Sequence, residues 1–361
     1  MRPTNLSLYY LSGTGNTLKA AGWIAKEFQE QSIPTTMLAI DGQLGTIHKK
    51  YSKEDGLIGL CFPTHGFNAP WAMLKFILAM PKARKREHFF ILNSRAGTRI
   101  YKIFIPGVSG MAQILPMVIM LLKGYKLSAL LPIDPPSNWI SIHPGMAEWV
   151  YAPIIARCEK QIKRFSQRLT TGKRYFHPYV FIFLPLDLLL IPVCVAYTLI
   201  GRFFLAKTFF ATNRCNGCKL CAERCPVGAI KMLGGKPYWT FSCESCMRCM
   251  NICPQKAVQT PHLFAVSLIS FVFALPLIDS IANYIMGLLP ATFQSVEWLI
   301  SLTVATVVSL PIFFVAYYAF HYLMRIRWIN NLFKYTSLTF YWRRYLAPGI
   351  TAKSFNRETI R

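Results

Sequence analysis

The chain has 361 residues, 53% of them hydrophobic, and a formal charge of +25 from 40 Lys+Arg against 15 Asp+Glu. That apolar content exceeds the soluble norm of about 45–50% and excludes a disordered chain, while the charge leaves nucleic acid, anionic lipid or an acidic protein as partners. The start MRPTNLSLYYLSGTGN has no long apolar run of the secretory kind, so the N-terminus is expected to stay in the cytoplasm with its cysteines reduced.

The first element, NLSLYYLSGTGNTLKAAGWIAKEF, reads as an apolar strand, a Ser/Gly/Thr loop and an amphipathic helix with Leu18, Ile24 and Phe28 among its apolar positions. Hydroxyls and free N–H groups at a helix N-terminus suit a phosphate. No Gly-Lys-Ser/Thr follows and the glycines are not spaced GxGxxG, which excludes the Walker and dinucleotide patterns. Ser12, Gly13, Thr14, Gly15, Asn16 and Thr17 resemble the FMN-phosphate loop of flavodoxins. Later segments are similar to that family in order. GLIGLCFPTHGFNAP resembles a third strand leading to Pro63, Thr64, His65, Gly66 and Phe67 beside the isoalloxazine. HFFILNSRAGT resembles a fourth strand followed by the second flavin-flanking loop, Ser94, Arg95, Ala96 and Gly97. KGYKLSALLPIDPPSNWI would be the fifth strand and its exit. The resemblance spans roughly residues 5–170 and implies a doubly wound parallel sheet of order 2-1-3-4-5 with FMN at its switch point. Where many flavodoxins flank the ring with aromatics, these loops offer His65, Phe67 and Arg95. Arg95 is either a cation that favours reduced flavin or a surface arginine, and His65 either serves the flavin or caps backbone.

An apolar stretch, about 179–204, follows a basic region that holds seven Lys/Arg between Arg157 and Arg174. It carries Pro185, Asp187 and Pro192, which suggests broken helices lying in or re-entering a membrane; the alternative is a linker helix of a soluble domain. Asp187, like Asp279 in a later apolar stretch, is open to a role in a proton path or at a quinone, or to helix-end or interhelical hydrogen bonding.

Two ladders of the form C-x2-C-x2-C-x3-C-P come next: Cys215, Cys218, Cys221, Cys225 and Cys243, Cys246, Cys249, Cys253. Cysteines three apart wrap one face of a cubic iron–sulfur cluster, and the repeat fits that far better than the paired ligands of two zinc ribbons. The ladders resemble bacterial two-cluster ferredoxins. That likeness implies Cys215, Cys218, Cys221 and Cys253 on one [4Fe–4S] cluster, with Cys243, Cys246, Cys249 and Cys225 on the other. Cys61 and Cys194 read as buried small hydrophobes, and Cys158 as a helix-surface thiol. A flavodoxin-like domain fused to such a ferredoxin is itself a bacterial and archaeal family, and the chain is similar to it at GTGNT, PSNW and the ladders.

Two further apolar stretches, about 263–289 and 298–323, each approach the length of about 20 residues that crosses a bilayer. As a hairpin they keep both redox parts on one side. Their connection PATFQSVE has no Lys or Arg, whereas eight follow Met324, including Arg325, Arg327, Lys334, Arg343 and Arg344, so both ends are expected inside. Basic flanks on anionic lipid account for the charge without nucleic acid.

The expected organisation is a flavodoxin-like domain over 1–170, interfacial or re-entrant helices over 171–207, a ferredoxin domain over 208–260, a transmembrane helical hairpin over 261–324 and a basic cytoplasmic tail over 325–361. The expected function is electron transfer between FMN and two [4Fe–4S] clusters at the cytoplasmic face of the inner membrane, to a redox protein, or to a quinone or lipid enzyme in the membrane. The alternatives are a reductase acting directly on a quinone or lipid, and a sensor or structural protein whose flavin site is lost. No Ser/His/Asp set or paired general acid and base is present to suggest other catalysis.

Overall fold

The computed structural model describes residues 2–41, 56–83, 87–273, 276–288, 290 and 297–355. Strands β1 (Leu6–Tyr10), β2 (Thr35–Ala39), β3 (Leu57–Pro63), β4 (His88–Ser94), β7 (Lys126–Ile133) and β8 (Tyr175–Phe176) form one sheet in the order β2-β1-β3-β4-β7-β8. Every pairing is parallel. The first five strands give the order 2-1-3-4-5. The additional edge strand β8 lies where Tyr175 packs edge-on against Phe165. A short antiparallel hairpin, β5 (Thr98–Ile100) with β6 (Ile103–Ile105), stands outside the sheet.

The strands are apolar on both faces because helices cover both. Leu6, Leu8, Phe90, Leu92, Ala129 and Leu131 face helices α1 (Asn16–Glu30) and α4 (Glu148–Thr170). Tyr9, Leu60, Phe62, Phe89 and Ile91 face α2 (Trp71–Ala79) and α3 (Met111–Leu122). Cys158 is not a surface thiol: with Ile154, Ile162 and Phe165 it lies on the core stripe of α4, and burial pushes its thiol up to about 12. Cys61 and Cys194 are buried.

The apolar stretch after β8 is broken into α5 (Tyr179–Ile182), α6 (Leu184–Leu189), α7 (Ile191–Ala196), a π-turn (Tyr197–Gly201) and α8 (Arg202–Ala206). Pro185 and Pro192 each sit in the first turn of a new helix, where a missing N–H does no harm. The cysteine region is a small pseudo-symmetric unit. Strand β9 (Phe210–Ala211) pairs with β12 (Val258–Gln259), a hairpin β10 (Ile230–Leu233) and β11 (Lys236–Trp239) joins the halves, and short helices α9 (Leu220–Glu223) and α10 (Arg248–Ile252) follow the second cysteine of each ladder.

Only Glu297–Leu323 (α13), 27 residues long, is long and apolar enough, by length and composition, to cross a membrane among the described residues. The expected first arm of a hairpin carries the helices α11 (His262–Phe273) and α12 (Pro276–Gly287), and residues 274–275 between them lie outside the described residues. Leu268 and Ala282 pack with Val304, Ala305 and Phe313 of α13. The turn at 291–296 and the side chain of Asp279 lie outside the described residues.

The basic segment after α13 is no free tail. Helix α14 (Arg327–Tyr335) lies on the cysteine domain, where buried Asn330 donates to the carbonyls of Ala211 and Met324 and accepts from Asn213 N–H. Beyond α15 (Leu338–Tyr341) the chain runs back to the β1–α1 loop and forms a 3-10 turn, Ala352–Phe355, where the described residues stop. Tyr345, Ala347 and Phe355 are buried there, which a solvated tail would not allow.

Candidate functional site

The two ladders share one backbone. Residues just before and just after the second cysteine are left-handed in both runs: Gly217 and Lys219 in the first, Ser245 and Met247 in the second. So is the third residue after the last cysteine, Gly228 and Lys256. Non-glycine residues hold this conformation at a cost of about 1 kcal/mol each, and successive right- and left-handed residues turn their N–H groups into a concave anion-binding nest. Cys225 accepts an N–H bond from Ala229 at 3.2 Å, and Cys253 accepts one from Ala257 at 3.3 Å. Such bonds favour a sulfur that carries negative charge.

The ladders also cross. Cys215, Cys218, Cys221 and Cys253 line one cavity. Cys243 and Cys249 lie within electrostatic reach of Cys225 and Cys246. Each set thus takes three cysteines from one run and the last from the other. Four thiols around one cavity, three of them spaced three apart, suit the faces of a cubic iron–sulfur cluster. Burial pushes Cys221 and Cys246 up to about 12, so free thiols here stay protonated and loading a cluster must release protons.

The second candidate centre is the crevice at the carboxyl ends of β1, β3, β4 and β7. Ser12 Oγ accepts from the N–H groups of Gly15 and Leu18, which curls the loop back onto α1. Thr17 Oγ1 lies 3.0 Å from Ser94 Oγ, Asn138 donates to Thr14 Oγ1 at 2.7 Å, and Asn16 donates to the Pro136 carbonyl. These bonds tie the β1–α1 loop to the ends of β4 and β7. Gly15 has φ +100°, a conformation glycine adopts without strain. Helix α1 has no acidic side chain in its first turn, so hydroxyls and the positive helix end meet without a competing carboxylate.

After β3, Thr64 N–H bonds the Ser94 carbonyl, and Asn93 donates to both Thr64 Oγ1 and Ser109 Oγ. Pro63 closes the strand, and His65, Gly66 and Phe67 make a tight turn. Asn93 Oδ1 is buried without a hydrogen-bond partner, a polar atom that a ligand in the crevice would satisfy. The donor set and this orphaned atom fit FMN. Its phosphate would be held by Ser12 to Thr17 and its ring by Thr64 to Phe67 and Ser94.

Arg95 faces elsewhere. Its guanidinium makes a two-pronged pair with Asp134, 2.7 Å at each contact, and lies against the Tyr179 and Phe183 rings. Its charge is neutralised within the protein. Ala96 and Gly97 run beside the β7 exit, where Gly97 N–H bonds the Pro135 carbonyl.

The two centres meet. A Cβ on Gly13 would clash with the Cys246 carbonyl oxygen, so glycine is what lets a cysteine of the second ladder rest on the β1–α1 loop. Arg248, buried between Cys246 and Cys249, donates to the carbonyls of Ser12 and Gly13 and to Asp41 Oδ2. Glu244 caps α2 through Ala72 N–H at 2.6 Å and lies 3.6 Å from His65. The Tyr197 ring covers Gly66, and Tyr345 and Ile350 cover Asn16 and Gly15. Arg248, Asp41, Tyr197 and Tyr345 do not stand out in the sequence as site residues. The one signal is that Arg248 occupies, in the second ladder, the position held by Leu220 in the first.

Comparison with known proteins agrees with part of this geometry. Residues 203–260 match the family model of a 4Fe-4S dicluster domain. No curated protein sequence matches the chain. Among solved structures, a flavodoxin of Streptococcus pneumonia TIGR4 is 13% identical, covering 46% of this chain and 98% of its own, with a TM-score of 0.33. A flavodoxin from the domain Archaea is 14% identical over 46% and 97%, with a TM-score of 0.31. The rubredoxin oxygen:oxidoreductase of Desulfovibrio gigas is 13% identical over 47% of this chain and 36% of its own, with a TM-score of 0.34. The flavodoxin-like assignment rests on the sheet order, and residues 203–260 carry a [4Fe–4S] dicluster domain of electron-transfer type.

Proposed function

We propose that the chain is a membrane-associated electron-transfer protein working between FMN in the crevice and two [4Fe–4S] clusters, on the cytoplasmic side. When bound, FMN supplies one- or two-electron chemistry and each cluster one-electron chemistry. The observation that carries this reading is the seat of Cys246 on Gly13, with Arg248 bonded to the same loop. It makes the Cys243/Cys246/Cys249/Cys225 set proximal to the flavin loops and the Cys215 set distal.

The membrane part of the reading rests on surfaces. Trp298, Leu302, Val307, Val315, Tyr318 and Tyr322 of α13 are exposed, as are Phe181, Ile182, Leu189 and Leu199 of the broken segment. Phe204 and Phe241 pack on Phe313 and Phe314 of α13, so the two apolar surfaces are continuous. In this account α11 and α12 together carry the chain across the bilayer and α13 returns it, with Arg325 and Arg327 at the inner end. Exposed Trp298, Tyr318 and Tyr322 suit the two interfaces.

The test is Thr14→Val with Thr17→Val in the full chain. Flavin content should fall several-fold while iron content is unchanged. In the parent, photoreduction of the flavin should be followed by reduced-cluster EPR signals. Clusters that stay oxidised beside a reduced flavin would defeat the electron-transfer reading, and unchanged flavin in the double variant would defeat the loop assignment.

A further inference from the structure

A cavity of about 350 Å³ is walled by α3, β7, β8 and the broken segment. Ile114, Met117, Leu130, Phe176 and Val180 make it almost wholly apolar, and its size is in the range of small-molecule sites. Two polar residues line it. Gln113 is buried, and its Nε2 has no hydrogen-bond partner. Asp187 is buried and accepts the Gly110 N–H at 2.6 Å. Phe181 and Leu184, both exposed, stand at the rim, so the cavity opens through the same apolar surface that the membrane reading buries in lipid.

The chemistry of the wall selects its occupant. An unpartnered amide N–H₂ asks for an acceptor, since leaving it unmet in an apolar site is costly. An acyl chain would leave it unmet. A fatty-acid carboxylate would meet it but would sit beside Asp187. A neutral carbonyl on a flat apolar body satisfies both constraints. The cavity also adjoins the flavin side: Gly110, which Asp187 holds, is followed by Met111, whose N–H bonds the Phe67 carbonyl at 2.8 Å.

We propose that this cavity binds the head of a lipid-soluble quinone entering from the bilayer, with a quinone carbonyl accepting from Gln113 Nε2. Binding is independent of whether electrons leave the crevice, so it is tested on the oxidised protein. The probe is a photoreactive azidoquinone added to the full chain with its cofactors in phosphatidylglycerol vesicles. Adducts should fall in the peptides around 111–122 and 176–187 and be displaced by decylubiquinone. Gln113→Leu, which removes a buried group with no partner and should fold normally, should cut specific labelling roughly ten-fold, and Ile114→Trp, which fills the cavity, should abolish it. Labelling spread along α13, labelling unchanged in Gln113→Leu, or equal displacement by lauric acid would each overturn the proposal, the last pointing to an acyl-chain site.

Discussion

Arg248 donates to Asp41 at 2.6 Å, both side chains buried, so an arginine inside a cysteine ladder is paired with the carboxylate at the end of β2. The same guanidinium bonds the carbonyls of Ser12 and Gly13. Two parts that could be independent domains are thereby locked at a fixed spacing, the condition electron transfer needs.

Breaking this lock should cost more than an ordinary surface ion pair. Removing one partner strands the other charge in the interior, at a cost of about 3–5 kcal/mol. Arg248→Met should therefore lower the denaturation midpoint of the full chain strongly. Because the partners share one interaction, Arg248→Met with Asp41→Asn should lose less than the sum of the single changes. Strict additivity would mean that the pair is not coupled.

Crossed ligation makes a residue-specific prediction. Cys253→Ser should remove the EPR signal of the Cys215/Cys218/Cys221 cluster and leave the other, whereas Cys225→Ser should do the reverse. If each serine variant instead lost the cluster of its own ladder, the crossing would be wrong.

Lys207 is buried with its Nζ 4.5, 4.3 and 4.8 Å from the Tyr238, Phe241 and Tyr317 ring centres, within reach of Cys243, and burial lowers it to about 8. At pH 7 it is a cation beside the proximal cluster and stabilises the reduced, more negative state. Lys207→Met should lower that cluster's midpoint potential by on the order of 50 mV. Wild type loses the charge as pH rises through about 8, so the difference between the two proteins should shrink there. A difference unchanged at pH 10 would exclude Lys207 as its source.

Topology can be read with thiol chemistry. A membrane-impermeant maleimide added to intact cells should label Glu297→Cys above the parent background and leave Arg343→Cys unlabelled until the cells are opened. The reverse pattern would turn the redox domains outward.

The parts legible in the sequence were those encoded locally. Cysteines three apart and a Ser/Gly/Thr loop between an apolar strand and an amphipathic helix state their chemistry within a few residues, and the strand order came with the resemblance of these segments to flavodoxins. What was not legible depends on contacts far apart in the chain. Arg248 and Asp41 are separated by 207 positions, and the tail reaches the β1–α1 loop through the Tyr345–Asn16 bond, 329 positions apart. Tail charge gave only a basic cytoplasmic tail, because nothing local reveals that Asn330 and Tyr345 find partners. Arg95 looked available to a flavin, and the two-pronged pair with Asp134, from the exit of another strand, removes it.

The most direct test of the central claim is FMN, iron and sulfide per chain after anaerobic purification of the full protein in detergent, with EPR of the dithionite-reduced sample. The account predicts about one FMN and about eight irons, with two cluster signals broadened by mutual coupling. Iron at that level without flavin, or zinc in place of iron, would contradict it.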